Sequence, residues 1–189
     1  MTTQETQQAL QTLGWPITVD GSFGPQTFQA VKDFQRAHAF WDLVADGHVG
    51  PKVEEALRHA LENDCRCSLH FKFKEFASKG NRWIKVSREL VRGLEAYREI
   101  VGGPVAVVSA YRDPAHNTKV GGAKSSQHLH GNAVDLNPAQ GESAVRRLER
   151  FSGIGIQKAT GLVRHVDVRH VGPNTTGGTP SRPTIWFYG

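Results

Sequence analysis

The sequence predicts two folded units of different class: a small helical bundle, then a unit that joins one long helix to several short strands. Three observations carry this expectation. The run Asp20-Gly21-Ser22-Phe23-Gly24-Pro25-Gln26-Thr27 returns as Asp46-Gly47-His48-Val49-Gly50-Pro51-Lys52-Val53, 26 residues later, and a repeat at such a period marks a repeated supersecondary unit. The formal net charge of +5 is unevenly spread, with 4 Lys and Arg against 8 Asp and Glu in residues 1–62 and 19 against 10 in residues 63–189. Strand-like stretches such as Val105 to Ala110 and Leu162 to Val168 lie in the second part.

In the first part a helix is predicted from Gln4 to Leu13, stopped by Gly14 and Pro16. Each copy of the repeat then feeds a helix, with Ala30, Val31 and Phe34 after the first and Ala56, Leu57 and Leu61 after the second. Pro25 and Pro51 suit the first helical turn, where the missing N–H costs nothing. Asp20, Gly21, Asp46 and Gly47 are read as turn formers. Trp15 and Trp41 are candidates for stacking on sugar rings, although core positions account for them as well. Residues 63–68 form a polar linker, and residues 69–189 make the second unit. There, His70 and Glu75 have no partner at ligand spacing, and Phe71 to Phe76 is an amphipathic stretch of open type. A helix follows from Ser87, with Leu90, Leu94, Tyr97 and Val101 on one face and Gly102 at its end. Val105 to Ala110 reads as a buried strand, Asp113 to Ser125 as a loop, Gly153 to Ile156 as a tight strand and Gly172 to Pro183 as a polar loop. Trp186, Phe187 and Tyr188 are expected to pack under the functional site.

Composition excludes several classes. No apolar run reaches the roughly 18 residues of a membrane span, and the first residues carry neither a basic leader nor an apolar core, so synthesis in the cytoplasm without a signal peptide is expected. Cys65 and Cys67 stand one residue apart, too close for an unstrained bridge, and read as reduced thiols. The basic second unit points to a polyanionic partner, nucleic acid or an anionic cell wall, but no groove-reading motif accompanies the charge. A monomer is expected, with no nucleic-acid or membrane partner.

The chemistry concentrates in two places. Ser126 to Asp135 holds His128 and Asp135 around Gly131, and His165 to His170 holds His165, Asp167 and His170. Imidazole and carboxylate are the N and O donors that zinc takes in tetrahedral sites, and a catalytic site leaves one position open. On a strand from Leu162 to Val168, His165 and Asp167 share a face. His170 has the opposite parity and could join them only through a strand end or bulge near Arg169. Arg112, just past the strand that ends at Ala110, is suited to steady an oxyanion or clamp a carboxylate. His130 is read as a neighbour of the site rather than a ligand.

Two resemblances sharpen these readings. The Asp-Gly-x-Phe/Val-Gly loops and Phe34-Gln35 resemble the peptidoglycan-binding domain 1 family, which implies attachment of residues 1–62 to the bacterial cell wall. The series Ser109, Arg112, Asn117, then Ser126 to Asp135, then His165, Asp167 and His170 resembles the zinc D-alanyl-D-alanine carboxypeptidase family, which includes L-alanyl-D-glutamate endopeptidases of phages. That resemblance implies an α+β fold, a small antiparallel sheet with flanking helices. It also implies one zinc ion on His128, Asp135 and His170, Asp167 as general base, Arg112 as transition-state clamp and His165 as supporting group, with Ser126 and Asn117 facing substrate. The implied activity is zinc-dependent hydrolysis of a stem-peptide amide bond in peptidoglycan, of the L-Ala–D-Glu or the D-Ala type, in a chain that resembles an endolysin. A D-alanyl-D-alanine carboxypeptidase is the alternative bond choice. A wall-binding or phage structural protein without turnover is the alternative of another class.

Overall fold

A computed structural model describes residues 1–171 and 177–189; the first residues of the polar loop expected from Gly172, up to 176, lie outside that description. Three helices come first, α1 (Thr3–Leu13), α2 (Pro25–Ala37) and α3 (Pro51–Glu62). Thr2 and Glu5 close a capping box on α1, and Pro25 and Pro51 begin α2 and α3. The two repeat loops are each tied down by one buried glutamine. Gln7 Nε2 donates to Asp20 Oδ1 (2.8 Å) and to the Ser22 carbonyl (3.0 Å), and its Oε1 accepts from Gly21 N (2.8 Å). Gln35 repeats the pattern on Asp46 (2.9 Å), the His48 carbonyl (2.9 Å) and Gly47 N (2.8 Å). The Asp-Gly pairs are thus turn formers fixed from the helix behind them.

The second part is α+β. Its helices are α4 (Arg88–Val101), α5 (Pro114–Lys119) and α6 (Glu142–Arg147), and its strands are β1 (Ala106–Ser109), β2 (Ala133–Gly141), β3 (Gly153–Gln157), β4 (Leu162–Asp167) and β5 (Thr184–Tyr188). They form one sheet in the order β1-β2-β4-β3-β5, antiparallel except for the parallel β3–β5 pair. Two expectations change here. The strand near Val105 is an exposed edge rather than a buried strand, with Val108 47% exposed. Its hydrophobicity misled because an apolar run is read as two buried faces. The stretch after Arg112 is not all loop: Asp113 caps the short helix α5, its Oδ1 accepting from His116 N (3.1 Å). No helix among the described residues is long and apolar enough to cross a membrane.

The helical part and the sheet share one continuous core. Trp15, Phe34 and Phe73 pack edge-on and tilted with ring centroids 5.3–6.2 Å apart, and Trp15 Nε1 donates to the Ile84 carbonyl (3.2 Å). Arg88 on α4 donates to the carbonyls of Gln35 (3.1 Å) and Trp41 (3.2 Å). Residues 63–68 are part of this packing: Cys67 is fully buried and both cysteines are free thiols.

His38 lies in the same core, fully buried, stacked on Trp41 (5.2 Å) and flanked by Phe34 and Phe73, with neither ring nitrogen hydrogen-bonded. Burial, then the neighbouring His59 and Arg88 charges, push its pKa down to about 4. The unfolded chain, with a histidine pKa of about 6.5, therefore binds the proton first as pH falls. Stability contributed by the neutral ring is complete above pH ~6.5 and is lost as pH falls towards 4, by about 3 kcal/mol at most. Urea unfolding between pH 7 and 4 will show this slope in the wild type, and His38→Phe will flatten it. An unchanged slope would show that other groups control the acid limb.

Candidate metal centre

The site is built from one turn and two paired strands. Ser126 caps a 3-10 turn, Gln127–His130, its Oγ accepting from His128 N (3.4 Å). Gly131 closes that turn at φ +68°, and a Cβ there would meet the Lys85 carbonyl oxygen at 2.4 Å, so glycine is required. The chain then enters β2. In the β2–β4 ladder Asp135 pairs with His165 and Ala133 with Asp167, and in the β3–β4 ladder Gly155 pairs with His165 and Gly153 with Asp167. Alternation along β4 puts His165 and Asp167 on one face, as the spacing predicts.

The structure brings His128, Asp135 and His165 together as the one group of three potential metal-binding side chains among the described residues. His128 Nε2 stands 3.3 Å from His165 Nδ1 and 3.4 Å from Asp135 Oδ1, and the last two are 2.9 Å apart. Zinc bonds of about 2.0–2.1 Å at tetrahedral angles place ligand atoms ~3.3 Å from one another, so the triangle has the right size. The donor chemistry also fits. His128 Nδ1 lies 2.6 Å from the Ala110 carbonyl, which can only accept, so Nδ1 carries the hydrogen and Nε2 presents its lone pair. His165 turns Nε2 towards Asp167 Oδ2 (3.4 Å), which leaves Nδ1 on the triangle.

Charge is arranged around that triangle. Burial pulls the His128 pKa down, keeping the ring neutral. Burial acts the same way on His165, but hydrogen bonds to Asp135 and Asp167 outweigh it and move that pKa up. Burial would raise the Asp135 pKa, yet the bonds to His128 and His165 hold it well below the carboxylate range. Arg112 pairs with Asp135 Oδ2, and its Nε donates to Ser109 Oγ (3.0 Å). Asp167 is fully buried. Burial favours its neutral form, but Arg169, bonded through backbone N (3.1 Å), Nε (2.9 Å) and an amino nitrogen (2.6 Å), brings the pKa down to about 2.

The remaining expected site residues, His170, Ser126 and Asn117, take three different places. His170 does not reach the triangle: its Nδ1 lies 2.8 Å from Ser152 Oγ. β4 ends at Asp167, so strand parity no longer governs His170; it stands in the turn that follows, held on Ser152. Ser126 lines the open cleft over the triangle, about 490 Å³ in volume. Asn117 is buried, lines a neighbouring cavity and not the cleft, and fastens the adjoining loop, Nδ2 donating to the carbonyls of Gly122 (3.2 Å) and Ala123 (3.1 Å). Trp186, expected under the site, packs edge-on against His165 (5.0 Å) and lies under Arg169 (4.9 Å). Two contributors were missed in the sequence. Arg169 lies just past the end of β4, two residues from the carboxylate it holds. Ala110 acts through its carbonyl, which no side-chain pattern reports.

The sequence profile of the peptidase M15 family matches residues 52–172. The chain belongs to the peptidase M15 family. A profile described as a putative peptidoglycan binding domain matches residues 2–57. Over 182 aligned residues this M15 chain is 31% identical to the zinc D-Ala-D-Ala carboxypeptidase of Streptomyces albus G, a match spanning 87% of the chain and 70% of that protein.

The triangle separates the two late histidines experimentally. His165→Ala removes one of three converging donors and will abolish stoichiometric zinc retention after dialysis, measured by elemental mass spectrometry. His170→Ala will keep it. Zinc loss in the second variant alone would hand the ligand role back to His170.

Proposed function

We propose that this M15 chain is a zinc-dependent peptidoglycan peptidase, in which residues 1–62 bind the cell wall and residues 69–189, joined by 63–68, cut a stem-peptide amide bond. The observation that carries the proposal is the triangle of Nε2, Oδ1 and Nδ1 atoms on His128, Asp135 and His165, sized for one zinc ion and open to a cleft. The putative peptidoglycan binding match and the named activity of the Streptomyces relative support the substrate class.

Zinc in such a site supplies Lewis acidity and makes a water acidic enough to attack an amide near neutral pH. The chain's own residues do the rest. Arg112, held by Ser109 and Asp135, stands at the edge of the cleft, where the N–H groups those partners leave over steady the oxygen that gains negative charge in the transition state. Ser126 fixes the turn that carries His128. Asp167 is assigned to positioning His165 rather than to accepting a proton, because Arg169 and His165 occupy its oxygens and its pKa is about 2. Carboxylates behind ligand histidines govern metal affinity, and removing one typically costs about 10–100-fold. Asp167→Asn will weaken zinc binding by about that factor, read by competition with a chromogenic chelator. A variant with unchanged affinity and a collapsed kcat would restore the general-base role.

The Streptomyces relative favours the D-alanyl-D-alanine bond. The L-Ala–D-Glu bond has a structural argument: both arginines lining the cleft, Arg112 and Arg169, are already paired with aspartates, whereas a carboxypeptidase needs a cation for the terminal carboxylate. Mass spectrometry of purified peptidoglycan after digestion, with and without chelator, decides. New N-terminal D-Glu establishes the endopeptidase, released D-Ala establishes the carboxypeptidase, and no chelator-sensitive product from several walls removes the peptidase proposal.

A further inference from the structure

Next to the cleft, on the far side of the Gly122–Lys124 segment, lies a second cavity of about 530 Å³ that the peptidase proposal leaves without a role. Lys85, Tyr111, Lys124 and His130 form its wall, and Gly122 lines both this cavity and the cleft. No Asp or Glu lines it among the described residues. Among the described residues neither the half-buried Lys85 nor the exposed Lys124 forms an ion pair, whereas Arg112 and Arg169 beside the triangle are each matched to an acid. Lys85 is half-buried and stands over the Tyr111 ring, its Nζ 5.8 Å from the centroid. A cation held against an aromatic face is stabilised on that side and leaves the remaining N–H groups for a ligand.

The surroundings sharpen the charge. Burial pulls the Lys85 ammonium below its usual pKa; the Arg36 guanidinium adds to the drop and Asp33 opposes it. An arrangement that makes cations less stable is restored by a bound anion. The burial lies on the Lys85 side of the cavity, and Lys124 is exposed.

We infer that this cavity is an oxyanion subsite, in which Lys85 and Lys124, with the Tyr111 hydroxyl-bearing ring as its floor, take a carboxylate or phosphate group of the wall polymer being cut. The inference rests on the peptidoglycan reading for its polymer. The shared chemistry has two sources, a carboxylate on the stem peptide itself or a phosphate of an anionic polymer attached to the wall. Because Gly122 borders both cavities, the bound group lies alongside the strand presented to the metal centre.

The test uses the full zinc-loaded chain and the double variant Lys85→Gln/Lys124→Gln, with zinc content and melting temperature as controls. On walls stripped of phosphate polymers, a rise in KM of about tenfold with kcat retained identifies the stem-peptide carboxylate. The same rise seen only on walls that keep those polymers identifies the phosphate. Lys85→Arg/Lys124→Arg will restore KM in either case. Equal KM for wild type and the Gln variant on both walls overturns the subsite. A second measurement needs no turnover: titration with inorganic phosphate and with acetate, followed through NMR shifts of the Gly122 amide and the His130 ring. Saturable shifts in the wild type that vanish in the Gln variant support the subsite even if no wall is hydrolysed, an outcome that would sink the peptidase proposal alone. No saturable shift with either anion, together with equal KM, ends the inference. Should the double variant fail to fold, exposed Lys124→Gln alone carries both readouts.

Discussion

The site depends on the register of one antiparallel pair, β2 against β4. Asp135 opposite His165 and Ala133 opposite Asp167 place two carboxylates and an imidazole on the same face of the sheet. A slip of one residue would turn every one of these side chains to the opposite face. Strand β3 enforces the register from the other side. A Cβ on Gly153 would come within 2.3 Å of the Asp167 oxygens, and one on Gly155 within 2.9 Å of the His165 Cβ. The two glycines, spaced at the strand period, leave the room in which the functional pair stands. The same face receives Trp186 from β5, which completes the wall beside His165.

The helical part belongs mechanically to this centre. Arg36 on α2 donates to Asn132 Oδ1, while Asn132 Nδ2 donates to the Val171 carbonyl (2.8 Å). The Asn132 backbone bonds Gln127 on one side (3.1 Å) and Val168 on the other (2.9 Å). One buried side chain thus ties the turn bearing His128, the start of β2 and the exit of β4 to a helix 96 residues away in sequence. Trp83 adds a second tie, Nε1 donating to Asp33 Oδ2 (2.9 Å). With Trp15, Phe34 and Phe73 in one core, the first three helices cannot be treated as a bead on a string. Truncation before residue 62 would expose the sheet's aromatic floor and unpair Asn132, costs of the size that decide whether a domain folds.

Sequence patterns revealed most of the architecture because they are local. The Asp-Gly and Gly-Pro pairs, the helix from Ser87 and the strand parity at His165 and Asp167 all depend on neighbours a few residues apart. Resemblance implied a ligand role for His170, whereas the chain leaves the strand after Asp167 and turns His170 onto Ser152, which strand parity does not describe. What stayed hidden was non-local. That β1 is an edge depends on which strands find partners, and the role of Asn117 depends on a loop it fastens from beneath. The Ala110 carbonyl behind His128 belongs to the backbone and carries no signature at all.

Asp135 and Asp167 show how one residue type meets two different settings on one sheet face. They sit on neighbouring strands of one face, and each meets His165 and one arginine. Asp135 keeps 28% of its side chain exposed to the cleft and divides its oxygens, Oδ1 to the triangle and Oδ2 to Arg112. Asp167 has none exposed, because Ala133 and Gly153 beside it are small enough to let the ladder close over it. Arg169 then takes both of its oxygens, which fixes the carboxylate and leaves its charge to act on His165 alone. A buried ion pair of this kind is poor stabilisation, since desolvation consumes much of the attraction. Its value lies in orientation: a carboxylate that cannot rotate holds an imidazole that cannot rotate, and the third corner of the metal triangle follows from that.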